Sequence, residues 1–159
     1  MTSKNFDLKS ITEKLVNTFF EAGKLALDIS VRGVKITIKD DKTPVTNGDI
    51  QVNSVLCKKI ESWTPNIPII SEETVDLNIK IKKEDKTFWL IDPIDGTRDY
   101  INKKDEYTLN AALIINLKPA VGIVYAPAKN RIFFSYGKNN AFEINNGTTV
   151  KLNCKKKIF

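Results

Sequence analysis

Apolar residues return at helical spacing from early in the chain: Leu8, Ile11, Leu15, Phe19, Ala22 and Ala26, widened by Val16, Phe20 and Leu27. That period predicts one long amphipathic helix over residues 6–31, with Gly33 as its stop. Val34, Ile36 and Ile38 then alternate with polar residues, as in a half-buried strand or an extended arm. A turn-rich stretch, Asp40 to Asp49, leads into a second helical stripe of Ile50, Val52, Val55, Leu56, Ile60 and Trp63. The second helix is expected over 46–63. Thr46 is its N-cap, and Asp49 falls three residues on, where a capping box places Glu or Gln. An ordinary N-terminal carboxylate, favoured by the helix dipole, is the simplest role for Asp49.

From there the period shortens. Residues 67–70 form an apolar run that ends in Ser71-Glu72-Glu73, with Ser71 expected to cap a short helix. Residues 75–87 are lysine-rich and weakly alternating, the mark of a surface excursion. Residues 88–91 form a second apolar run, too continuous for a water-facing strand. Beyond Tyr107, apolar or β-branched runs at 109–117, 120–125, 131–136 and 141–144 alternate with short Pro, Gly and Asn connectors. Such connectors build antiparallel hairpins, Asn146-Gly147 most clearly. Val150 and Leu152 are expected in a last edge strand. The expected fold is α+β: two long helices packed on a mostly antiparallel sheet drawn from residues 67–152, in one domain spanning 1–159.

Composition narrows the chemistry. Apolar content of 42% and charged content of 28% belong to a globular chain rather than a disordered one. No apolar stretch approaches the roughly 20 residues that cross a bilayer. The opening Met-Thr-Ser-Lys-Asn-Phe-Asp lacks the apolar core of a signal peptide, so a cytoplasmic location is expected. Cys57 and Cys154 are too few for a disulfide framework and are read as reduced and structural. Net charge is +6, but the lysines are scattered and the arginines are only Arg32, Arg98 and Arg131, which predicts no nucleic-acid partner. Histidine is absent, which excludes a histidine triad, histidine-bound zinc and histidine phosphotransfer. Hydrolysis in this chain would fall to carboxylates, hydroxyls and hard metals.

Those groups concentrate in Trp89-Leu90-Ile91-Asp92-Pro93-Ile94-Asp95-Gly96-Thr97-Arg98-Asp99-Tyr100. A buried strand runs into two carboxylates, a proline of fixed φ and a glycine with access to angles closed to other residues. Thr97 is expected to cap a short helix over 98–102. Carboxylates beside free helix-end amides suit hard cations together with a phosphate. The 67–70 strand also ends in acids. If the two strands lie side by side, Glu72 meets Asp92 at one edge of the sheet.

In order and spacing, Pro44-Val45-Thr46-x-x-Asp49, then Ser71-Glu72-Glu73, then Trp89 to Thr97 resemble the inositol monophosphatase superfamily of magnesium-dependent, lithium-sensitive phosphatases. Gly122-Ile123-Val124-Tyr125-Ala126-Pro127 resembles the family's following hairpin. Arg98-Asp99-Tyr100 after the Gly-Thr, and Thr64-Pro65-x-x-Pro68 before the acidic pair, are closer to the bacterial 3′(2′),5′-bisphosphate nucleotidases within it. The resemblance implies the N-terminal half of an αβαβα sandwich and hydrolysis of 3′-phosphoadenosine 5′-phosphate to AMP and phosphate. It implies two or three magnesium ions, held by Glu72, Asp92, Asp95 and the Ile94 carbonyl, and inhibition by lithium. Asp49 and Thr97 would be catalytic, orienting and deprotonating the attacking water. Glu72, Ile94, Asp95, Gly96 and Thr97 would line the substrate, with the Gly96 and Thr97 amides on its phosphate. Asp92 and Asp95 stand three apart, which excludes the Asp-x-Asp arrangement of haloacid-dehalogenase-like phosphatases.

Two departures accompany the resemblance. Gly48 replaces a usual alanine, an exchange expected to lower helix propensity and little else. The family's second α/β half, about a hundred further residues, has no counterpart after Asn146. That half carries a third metal carboxylate in a Trp-Asp motif. The expectations are therefore slow or no turnover by this chain alone, an inactive folding or interaction module as the alternative, and self-association or a second chain that completes the site. An inositol monophosphatase or sugar bisphosphatase on the same metal core is the other enzymatic alternative.

Overall fold

A computed structural model of the chain describes residues 7–74 and 86–153. The first helix, α1 (Leu8–Arg32), starts on Asp7, whose carboxylate accepts from the Ser10 amide, and ends at Gly33 with φ of 127°. Strands β1 (Ile36–Ile38) and β2 (Pro44–Thr46) pair antiparallel as a small hairpin. All of β1 is exposed, so of the two expectations for this stretch the extended arm is the one observed, and the turn-rich stretch after it contributes β2. The second helix, α2 (Asn47–Trp63), is capped by Thr46, and the Thr46–Asp49 capping box is complete.

The main sheet has seven strands in chain order: β3 (Ile69–Ser71), β4 (Phe88–Asp95), β5 (Thr108–Ile115), β6 (Lys118–Ala126), β7 (Arg131–Tyr136), β8 (Ala141–Asn145) and β9 (Thr148–Lys151). Only β3–β4 is parallel; every later neighbour pair is antiparallel. The lysine-rich excursion lies largely, and Cys154 and the tail wholly, outside the described residues. Both long helices cover one face of the sheet. Leu15, Phe19, Ala22 and Ala26 of α1 and Val52, Leu56 and Ile60 of α2 are fully buried against it, with Trp89, Leu109 and Leu113. Trp89 ties this layer together, its indole Nε1 donating to Thr64 Oγ1 (3.0 Å) at the end of α2.

Three local expectations change. Strand β4 does not stop before Asp92 but continues to Asp95 across a register shift, where Pro93, lacking an N–H, costs no ladder bond. The following helix, α3 (Thr97–Ile101), is capped by Gly96 at φ 95°, and Thr97 is its first residue rather than its cap. A Cβ on Gly96 would come within 2.9 Å of the Glu106 carbonyl, so both angle and space select glycine. Finally, Ser71 precedes a single 3-10 turn, Glu72–Thr74, as expected, but its hydroxyl is directed to α2. It is wholly buried and donates to Asn53 Oδ1 of α2 at 2.6 Å, which locks the end of β3 onto the helix layer.

The opposite face of the sheet carries a cavity of about 710 Å³ lined by Leu90, Ala112, Val124, Phe133 and Phe142, with Glu72, Asp92 and Asn110 at its polar end. Leu90 and Val124 remain 42% and 44% exposed there. No helix among the described residues is long and apolar enough to cross a membrane.

Candidate functional site

Side-by-side pairing of β3 and β4 sets the centre of the site. Ser71 stands opposite Ile91, so one step further Glu72 comes level with Asp92. Asp92 lies in a half-buried position with its Oδ1 shut off from solvent and without a hydrogen-bond partner among the described residues. Burial, then the charge and contact of Glu72, then the charges of Asp95 and Asp49 push its pKa up to about 7. A half-buried carboxyl that feels its acidic neighbours and has one oxygen unpartnered suits positive charge. The structure thus joins Glu72, Asp92, Asp95 and Asp49 in one electrostatic unit.

Asp49 reaches this unit from α2. It is 1% exposed, and the capping box holds it: Thr46 N (2.8 Å) and Thr46 Oγ1 (2.5 Å) both donate to Asp49 Oδ2. Its other oxygen faces Thr97, whose Oγ1 lies 3.2 Å from Asp49 Oδ1 and 3.1 Å from the Ile94 carbonyl. Asp49 thus gives one carboxylate oxygen to the cap and turns the other to Thr97. Thr97 has a single hydroxyl hydrogen for two acceptors. When it serves Asp49, it leaves the Ile94 oxygen to another partner. Gly96 turns the chain so that the first amides of α3, which have no intrahelical acceptor, follow directly on Asp95.

Two polar residues of the neighbourhood escaped the sequence reading. Lys39, from the turn of the β1–β2 arm, contacts Glu73 at 2.9 Å and Glu72 at 3.9 Å. Burial works against its ammonium, but the Glu73 bond and charge outweigh burial and raise its pKa above the ordinary lysine value. Asn110 of β5 pairs in register with Asp92, and its Nδ2 donates to Asp95 Oδ2 at 3.4 Å. Lys39 had no local signal, being one of many lysines. Asn110 had one: it is the only amide inside the apolar run of β5.

Among the described residues, no three carboxylate or thiol side chains are grouped closely enough to hold one ion unaided. The donors present still fit magnesium, which takes one or two carboxylates and fills its octahedron with waters and substrate phosphate. The enclosed Asp92 oxygen without a donor is the observation in favour. A two-helix layer over a mostly antiparallel sheet, with acids gathered at its β3–β4 end, defines an α+β scaffold suited to hard cations and phosphate.

The chain belongs to the inositol monophosphatase family, whose profile matches residues 7–157. It is 31% identical over 130 residues to the 3′(2′),5′-bisphosphate nucleotidase CysQ of Haemophilus influenzae, a match covering 79% of this chain and 48% of that protein. The chain spans about half the length of the curated relatives it matches. Among solved structures it resembles a staphylococcal inositol monophosphatase-1 in a lithium-soaked inhibitory complex, with TM-score 0.79 and 20% identity, over 88% of this chain and 52% of that one. An IMPase/NADP phosphatase complexed with Mg2+ and phosphate aligns with TM-score 0.76 and 19% identity, over 90% and 53% of the two chains.

Proposed function

We propose that these residues form the N-terminal part of a magnesium-dependent phosphatase site of the bisphosphate nucleotidase type, acting on 3′-phosphoadenosine 5′-phosphate. The observation that carries this reading is the meeting of Asp49 and Thr97 with the Asp92–Asp95 strand end. Glu72, Asp92, Asp95 and the Ile94 carbonyl would hold the cations. Bound magnesium supplies Lewis-acid charge to the attacking and leaving oxygens of an in-line displacement. The chain's own groups do the rest. Thr97 Oγ1, fixed between Asp49 and Ile94, orients the attacking water, and Asp49 accepts the proton passed through that hydroxyl. The amides of Gly96 and Thr97 take the phosphate oxygens.

Sequence favours a nucleotide over an inositol substrate, since bisphosphate nucleotidases such as that of Haemophilus influenzae match the chain above 30% identity. A second reading, cation and phosphate binding without turnover, is favoured by the lack of a three-carboxylate group among the described residues. Phosphate release from 3′-phosphoadenosine 5′-phosphate and from inositol 1-phosphate separates these readings. We expect slow, magnesium-dependent, lithium-inhibited release from the nucleotide, lost in Asp92→Asn. Binding with no release supports the second reading. Faster release from inositol 1-phosphate overturns the nucleotide assignment. The proposed setting is the cytoplasm.

A further inference from the structure

We propose that Asn110 is a positioning residue of the acidic cluster: its Nδ2 holds Asp95, and its Oδ1 is an acceptor for the hydration shell of a bound cation. The inference rests on the reading of Glu72, Asp92 and Asp95 as cation ligands.

Asn110 sits opposite Asp92 on paired strands, and both line the polar end of the cavity on the sheet face opposite α1 and α2. Around it, β5 is otherwise apolar: Leu109, Ala111, Ala112 and Leu113 pack with nothing polar to offer. A carboxamide in such a strand demands partners for two N–H donors and one carbonyl. Its donor side finds one in Asp95 Oδ2. Its Oδ1 is shut off from solvent and finds none among the described residues, as is also true of Asp92 Oδ1 on the paired strand. Two enclosed acceptors in one cavity with no donor between them are costly, and native proteins rarely leave them so. A hydrated cation answers both demands, since its charge suits the carboxylate and its waters donate to the amide carbonyl. Groups that orient metal ligands and accept from bound water are worth ~10–100-fold in metal affinity.

The test is Mn2+ binding to the full chain in the presence of inorganic phosphate, followed by electron paramagnetic resonance, with Mn2+ standing in for magnesium on oxygen ligands. We expect Asn110→Leu to weaken Mn2+ binding ~10-fold or more, while the metal-free melting temperature holds or rises because a buried unpaired acceptor has been removed. Unchanged affinity with a lower melting temperature would show a merely structural amide and overturn the inference. If Asn110→Leu fails to fold, Asn110→Ala is read by the same two measurements. Mn2+ binding that is lost in Asp92→Asn but unchanged in the Asn110 variants overturns this inference alone. No Mn2+ binding by the unaltered chain overturns the cation-site reading and the inference with it.

Discussion

Asp92 concentrates the electrostatic cost of the site. Its carboxyl is pushed from an ordinary 3.8 up to about 7 by burial first and by Glu72 second. A raised folded-state pKa has a definite sign. Below the unfolded value both states keep the proton; between about 4 and about 7 only the folded chain keeps it. Metal-free stability therefore falls as pH rises through that window, and the contribution is gone above it. Asp92→Asn removes the charge without changing the shape. Thermal melts without divalent metal should show the variant above the unaltered chain at pH 8, with the gap closing toward pH 4. A variant that melts lower at pH 8 would mean that Asp92 is stabilised by partners rather than strained by neighbours. Functional sites commonly hold such groups at a cost met elsewhere in the fold.

At the level of elements, hydrophobic period sufficed for both long helices and for the meander, because each buries one face on a single core. It failed where one residue answers to two masters. Asp92 looked like a strand end because it is charged, yet β4 carries it on to Asp95 through a bulge that no periodicity announces. Thr97 looked like a cap, but the left-handed Gly96 does that job and leaves the hydroxyl for Asp49. The pairing of Glu72 with Asp92 was legible because two apolar runs both ended in acids. Lys39 and Asn110 were not, since their roles come from tertiary neighbours.

Gly48 is the plainest correction. Propensity alone says that alanine there would stabilise α2 by about 1 kcal/mol. A Cβ at Gly48, however, would lie 2.7 Å from the Tyr100 ring and hydroxyl, and Tyr100 is fully buried with its OH donating to the Ala26 carbonyl at 2.7 Å. Overpacking of that kind costs about 1–3 kcal/mol. Gly48→Ala should therefore lower the chemical-denaturation midpoint. A rise would show that Tyr100 moves aside freely.

At the scale of the molecule, α1 and α2 cover one side of the sheet and no described element covers the other, where Leu90, Val124 and Val150 are 42%, 44% and 52% exposed. We propose that second copies of the chain associate through this face, a contiguous apolar surface of the kind that monomers seldom leave open. Sedimentation should show concentration-dependent dimers or larger species, reduced by Val124→Lys; a monomer throughout the micromolar range would contradict this. The polar end of the same face is where Glu72 and Asp92 lie. The central claim is that Glu72, Asp92 and Asp95 with Asp49 and Thr97 form a cation-and-phosphate site. Calorimetric titration of magnesium into the chain with inorganic phosphate present tests it most directly. Saturable binding that disappears in Asp92→Asn is the predicted result, and equal binding by the variant, or none by the unaltered chain, would contradict it.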